Sequence, residues 1–257
     1  MLRLENINKT FNAGTIDECK IFDDFSLNIE KGEFVSVIGS NGSGKTTMLN
    51  IICGSMMIDS GNIVFDGKNI TKLSEYKRAK YMGRVFQSPG MGTCPNLTIL
   101  ENMSLADNKN KPFGLARGVN KKRVDYYRSL VEECGIGLEN RMNVPVGSLS
   151  GGQRQALALV IANMANIDFL VLDEHTAALD PKSSQLVMQL TDKFVKKSNI
   201  TTLMVTHNLR FAVEYGSRLI MMHEGKCIVD IKGDEKKNCN VDDLLRKFNE
   251  ISIEKGN

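Results

Sequence analysis

No apolar run in this chain of 257 residues reaches the roughly 18 residues that a membrane-spanning helix requires. The richest, ALALVIANMA at 156–165, is about half that length, so any membrane role has to come through a partner. The opening MLRLENINKTF lacks the basic-then-apolar layout of a secretory signal, and the chain is expected in the cytoplasm. Cys19, Cys53, Cys94, Cys134, Cys227 and Cys239 show no CxxC spacing. That argues against a zinc site or a disulfide framework and fits reduced thiols. An excess of one charge is also missing. Its 33 basic and 30 acidic side chains leave a net charge of +3, which gives no nucleic-acid footprint and only a weak attraction to an anionic membrane surface. There is no internal repeat and no low-complexity segment. What remains is ordinary for a globular protein with a real core, at 42% hydrophobic and 25% charged residues. The length suits one large α/β domain or two modest ones.

Short β-like runs fall at 3–7, 25–29, 34–38, 62–65, 169–172, 202–206, 218–223 and 226–231. The last two flank Glu224-Gly225, a plausible hairpin turn. Helical spacing is kept at 121–134 by Val124, Tyr127, Leu130, Val131 and Cys134, and at 182–197 by Leu186, Val187, Leu190, Phe194 and Val195. Asp180-Pro181 reads as an N-cap followed by proline at the first helical position. Asn208 should cap a short helix at 209–215 that Gly216 ends. Strands first and strand–helix alternation later predict a mixed sheet with parallel core strands. The stretch 88–146 contains Pro89, Pro95, Pro112 and Pro145 and a basic run at 108–111, without a core strand. It reads as an inserted helical subdomain. The amphipathic tail at 241–251 is expected to dock on the domain's own surface.

GSNGSGKT at 39–46 follows the apolar run FVSVI and precedes the helical TTMLNIIC. It satisfies G-x-x-x-x-G-K-[ST] in the strand–loop–helix context that pattern needs. Glycines let backbone N–H groups turn inward, and the helix start adds partial positive charge. Gly39, Ser40, Asn41, Gly42, Ser43, Gly44, Lys45, Thr46 and Thr47 would cradle a nucleoside triphosphate. Lys45 would reach the β- and γ-phosphates, and Thr46 would offer a hydroxyl to Mg²⁺.

FLVLDE at 169–174 brings Asp173 to the end of a buried strand, where it suits Mg²⁺, while Glu174 could deprotonate an attacking water. Read alone, this could be a strand that simply ends in charges. LSGGQ at 149–153 puts a glycine pair at a helix start, a second anion-binding helix end. Read alone, it could be a loop before a helix. One nucleotide has no use for two such ends unless they clamp it from opposite sides.

In order and spacing, GSNGSGKT, Gln87 after GRVF, LSGGQ, FLVLDE, AALD ending at Asp180, and His207 after TLMVT resemble the ATP-binding cassette family. The likeness spans nearly the whole chain, and LSGGQ is that family's signature. It implies an α/β P-loop NTPase of the ABC type, with a mixed sheet core, an antiparallel β subdomain and an inserted helical subdomain. The expected boundaries are 1–87 with 147–235 for the nucleotide-binding core, 88–146 for the helical subdomain and 236–257 for a tail helix.

The resemblance further implies a head-to-tail homodimer binding ATP and Mg²⁺. In it Ser150, Gly151, Gly152 and Gln153 contact the γ-phosphate held by the other copy, and Asp180 lies in the loop linking the two sites. It implies Glu174 as general base, His207 on the γ-phosphate, Gln87 and Asp173 with Thr46 toward the metal, and Phe11 stacked on adenine. Phe11 and His207 also have bland readings as core or cap residues. His175 stands where the family commonly has proline, and is read as structural, as is His223. DEHTAALDPKSS and the segment MVTHNLRFAVEYGSRLIMMHEGK resemble cassettes of bacterial importers served by a substrate-binding lipoprotein, some linked to amino acids.

The expectation is therefore an ATP-hydrolysing subunit on the cytoplasmic face of the membrane. It would drive a multi-span permease docked near 87–101, without nucleic acid. The alternatives are a non-transport cassette (a soluble assembly or translation factor, or one attached to DNA-repair coiled coils, for which 88–146 lacks the long heptads) and a small-molecule phosphotransferase. The first usually carries two cassettes per chain when it serves translation. The second has no reason for LSGGQ.

Overall fold

The computed structural model describes residues 1–109, 118–164 and 167–254. Asn110, Lys111 and Pro112 of the insertion, and Ala165 and Asn166, lie outside the described residues. In chain order the strands are β1 (Leu2–Phe11), β2 (Cys19–Ile29), β3 (Phe34–Gly39), β4 (Ser60–Phe65), β5 (Lys68–Asn69), β6 (Met82–Val85), β7 (Phe169–Asp173), β8 (Thr201–Val205), β9 (Arg218–His223) and β10 (Lys226–Lys232). The α-helices are α1 (Lys45–Cys53), α2 (Glu75–Arg78), α3 (Ile99–Asp107), α4 (Val124–Glu132), α5 (Gly151–Asn163), α6 (Pro181–Ser198), α7 (Leu209–Glu214), α8 (Asp234–Asn238) and α9 (Val241–Glu254). Contacts divide the chain into two compact units, Met1–Lys72 with Thr202–Asn257, and Leu73–Thr201.

The first unit holds an antiparallel sheet in the order β2-β1-β4-β5. β1 buries Leu2 and Leu4 and then Ile7, so its alternation changes from even to odd positions. The change is made at Asn6, whose φ of 53° accompanies a register shift between Leu4 and Ile7. Asparagine tolerates that left-handed conformation, and the bulge keeps Ile7 inside.

A mixed sheet in the same unit runs β10-β9-β3-β8, with β3 parallel to both β8 and β9 and β10 antiparallel to β9. Every residue of β3 is buried, as a central parallel strand requires. The β9–β10 hairpin turns at Glu224-Gly225, as the sequence predicts, with φ of 43° and 72°. A Cβ on Gly225 would lie 1.8 Å from the Ile21 carbonyl oxygen, so only glycine fits there.

The tail helix α9 packs Leu244 into a core shared with Ile38, Ala212, Leu219, Met221 and Ile231. Its amphipathic face is thus used on its own unit, in line with the sequence expectation.

In the second unit β6 and β7 pair in parallel, with Met82 opposite Phe169 and Val85 opposite Leu172. β7 is buried up to Leu172 and delivers Asp173 at its end. α3, which no apolar periodicity announced, is closed by a capping box. Thr98 accepts from the Glu101 amide at 3.2 Å, and the Glu101 carboxylate accepts from the Thr98 amide at 2.8 Å. T-x-x-E is a sequence signal for such a start. Two N-caps expected from sequence are present. Asp180 caps α6 through the Ser183 amide, and Asn208 caps α7 of the first unit through the Phe211 amide.

Candidate nucleotide site

In the first unit β3 leads directly into the glycine-rich loop, and α1 begins at Lys45. Gly44 stands at the N-cap position with φ 96°, and no side chain caps the helix. A left-handed residue is needed to turn the loop into the helix, and glycine supplies it without a Cβ penalty. The amides of a helix's first turn have no intrahelical acceptor, so this start presents donors to an anion.

Lys45 is only 5% exposed. Its ammonium donates to the carbonyls of Gly39 and Ser40, both at 2.8 Å, and to Ser43 Oγ at 3.3 Å. Loop and lysine thus shape one another. Asn41, Gly42 and Thr46 are exposed, Thr47 is half-buried, and Ser43 and Gly44 are buried. Phe11 ends β1 half-buried, with the Lys9 ammonium 5.7 Å from its ring centroid. His207, after β8, is exposed. His223 ends β9 with Nδ1 3.4 Å from Ser40 Oγ, a contact that sequence reasoning left out.

In the second unit Glu174 follows β7 with φ 47°, a left-handed conformation rarely adopted by a glutamate. Such strain concentrates at functional positions. Next to it His175 is buried at 2% exposure, and burial pushes its pKa down to about 4. Thr191 Oγ1 donates to the Val187 carbonyl and therefore accepts from His175 Nε2, 3.2 Å away. The imidazole is a neutral packing element against α6, in keeping with its structural reading.

Asp173 is paired with Arg84 of β6, the guanidinium Nη2 lying 2.6 Å from Oδ2, with side chains 14% and 13% exposed. Arg84 also stacks over Phe86 at 4.7 Å. The Phe86 carbonyl in turn accepts from the fully buried Gln155 of α5, at 2.8 Å. Gln87, the next residue, is exposed. Arg84 and Gln155 went unnoticed in the sequence. The available signal was an arginine inside an otherwise apolar strand, which needs a charged partner.

LSGGQ starts α5 through a capping box of its own. Ser150 Oγ accepts from the Gln153 amide at 3.3 Å, and Gln153 Oε1 accepts from the Ser150 amide at 3.2 Å. The serine and glutamine of the motif therefore have a local structural task as well. Gly151 is half-buried and Gly152 buried, its Cα facing Ser183 so closely that a Cβ would sit 2.9 Å from that side chain. Asp180 is exposed, and hydrogen bonds from Ser183 hold its carboxyl below the usual range.

A groove of about 480 Å³ in this unit is lined by Tyr76, Arg84, Met91, Leu105, Lys109 and Ile161, among others. Tyr76, Met91 and Leu105 are 72%, 70% and 56% exposed. No helix among the described residues is long and apolar enough to cross a membrane. Among them no three His, Cys, Asp or Glu side chains cluster as a metal site.

A family model described as "ABC transporter" matches residues 22–177. The chain is 49% identical over 248 residues to a tyrosine transport ATP-binding protein of Clostridioides difficile, covering 96% of this chain and 98% of that one. It is 30% identical to the phosphonates import ATP-binding protein PhnC of Lactococcus lactis, over 96% and 99% of the two chains. Among solved structures it is similar to a dimeric post-hydrolysis state of the ATP-binding cassette MJ0796 bound to ADP and Pi. There the TM-score is 0.76 and the identity 31%, covering 90% of this chain and 98% of that one.

Proposed function

This chain belongs to the ABC transporter family as its ATP-hydrolysing subunit, and from that premise we propose that it powers the uptake of an amino acid with an aromatic side chain. The observation that carries the solute is the near full-length likeness, at 49% identity, to a tyrosine transport ATP-binding protein.

The residue roles combine the chemistry of each side chain with what the family resemblance implies. Lys45 binds the β- and γ-phosphates, and the amides at the start of α1 hold their oxygens. Thr46, Gln87 and Asp173 offer oxygen donors, the hard ligand type that Mg²⁺ takes together with nucleotide phosphates. The cationic guanidinium already seated on Asp173 marks that carboxylate as a place for positive charge. Bound there, Mg²⁺ would neutralise charge developing on the phosphoryl oxygens.

Glu174 accepts the proton of the attacking water, and His207 orients on the γ-phosphate. Phe11 stacks on the base. Ser150, Gly151, Gly152 and Gln153 clamp the γ-phosphate of a second copy, and Asp180 sits in the connecting loop. Such self-complementary halves suit a two-fold dimer, in which ATP holds the copies together and hydrolysis releases them.

A multi-span permease docks on the groove with Met91 and Leu105 in the 88–146 helical subdomain, with the cassette peripheral on the cytoplasmic face. A substrate-binding lipoprotein delivers the solute outside. The core at 1–87 with 147–235 and the tail at 236–257 complete the division.

The test is uptake of labelled tyrosine by cells in which this chain is deleted, complemented with the wild type or with Lys45→Met. Uptake returning with the wild type alone, and co-purification with a multi-span protein, are the expected results. Unchanged tyrosine uptake in the deletion strain would remove the solute assignment.

A further inference from the structure

We propose that Arg84 is a positioning residue that acts as an internal cation. It holds the Asp173 carboxylate when no metal is bound and competes with Mg²⁺ for it. The proposal rests on the reading of Asp173 as a metal-side carboxylate.

The placement follows from the strands. β6 and β7 run parallel with Arg84 opposite Val171, so a long side chain leaning along the strand reaches Asp173 at the end of β7. The contact is 2.6 Å, with both side chains mostly buried. An ionised carboxylate in such a place needs a counter-charge, and guanidinium and metal offer the same one. A metal taking either carboxylate oxygen would lie within a few ångströms of the guanidinium, so the two positive charges disfavour one another on this one side chain. Arg84 is also held on its face by Phe86, whose carbonyl is fixed by Gln155 of α5. It is therefore set in advance at the carboxylate. Its side chain also lines the groove that carries Met91 and Leu105. A purely structural ion pair would stabilise the fold and leave metal affinity alone. A competing cation must weaken it.

The experiment is thermal unfolding of the full chain with saturating ADP, first in EDTA and then across a Mg²⁺ titration, so that no turnover occurs. In Arg84→Met the Tm in EDTA falls, and the Mg²⁺ midpoint of the Tm rise drops about tenfold, or about 1.4 kcal/mol, because the guanidinium no longer has to be displaced. Arg84→Gln keeps a hydrogen-bond donor for Asp173 without the charge; it serves if the methionine variant does not fold, and its midpoint drops likewise. Arg84→Lys keeps the charge but loses the planar face held on Phe86, so its midpoint lies between the wild type and the neutral variants. A midpoint unchanged or raised in both neutral variants overturns the proposal. Asp173→Asn separates the two layers of the argument. If it removes the Mg²⁺-dependent rise while the neutral Arg84 variants match the wild type, only the role of Arg84 fails. If neither ADP nor Mg²⁺ shifts the wild-type Tm, the nucleotide-site reading itself fails.

Discussion

Glu174→Gln lowers ATP turnover by about two to four orders of magnitude, the range that general-base catalysis contributes. The exchange is nearly isosteric. It keeps the side chain's reach and the backbone bond from the Ala177 amide to the Glu174 carbonyl at 2.9 Å, so the left-handed turn survives. Only the ability to take a proton is lost. Nucleotide binding should therefore be retained, and the variant should accumulate as an ATP-bound pair of copies. Phosphate release and light scattering with ATP measure both effects. A variant that hydrolyses at the wild-type rate would place the base elsewhere.

Lys45→Met is expected to abolish nucleotide binding and also to weaken the chain without nucleotide. The second effect is specific to this geometry, because the ammonium bonds two loop carbonyls and the Ser43 hydroxyl while almost fully buried. Hydrogen bonds to a charged group contribute about 1.5–3 kcal/mol each, and leaving buried carbonyls without donors costs more than removing both partners. A loss of about 2–4 kcal/mol in urea unfolding is predicted, together with no Tm response to ADP. If binding vanished with stability untouched, the lysine would have no part in holding the loop.

Much of this was legible in the residues. The glycine-rich loop between strand and helix, the strand ending at Asp173, the N-caps at Asp180 and Asn208 and the Glu224-Gly225 turn all rest on local chemistry, which a sequence states directly. α3 was missed as an individual element because nine residues from Ile99 to Asp107 give too short a window for periodicity, although its T-x-x-E start was readable. The reset of β1 at Asn6 was invisible because it depends on where the neighbouring strands need Ile7. The Arg84–Asp173 pair joins positions 89 apart in the chain, so only strand pairing reveals it. The capping box within SGGQ lay in plain view, yet a motif already assigned to a ligand hid its structural share.

That double duty suggests how to isolate the central claim, a triphosphate completed by two copies. Ser150→Asp preserves a good N-cap for α5 while placing a negative charge against phosphate. In the Glu174→Gln background, chains carrying Lys45→Met are mixed with chains carrying Ser150→Asp, and the ATP retained per isolated pair is counted. If Lys45 of one copy works with Ser150 of the other, each mixed pair contains one intact site and retains one ATP, while neither variant alone retains any. If both residues serve the same copy's nucleotide, mixing restores nothing, and the account of a shared site is contradicted.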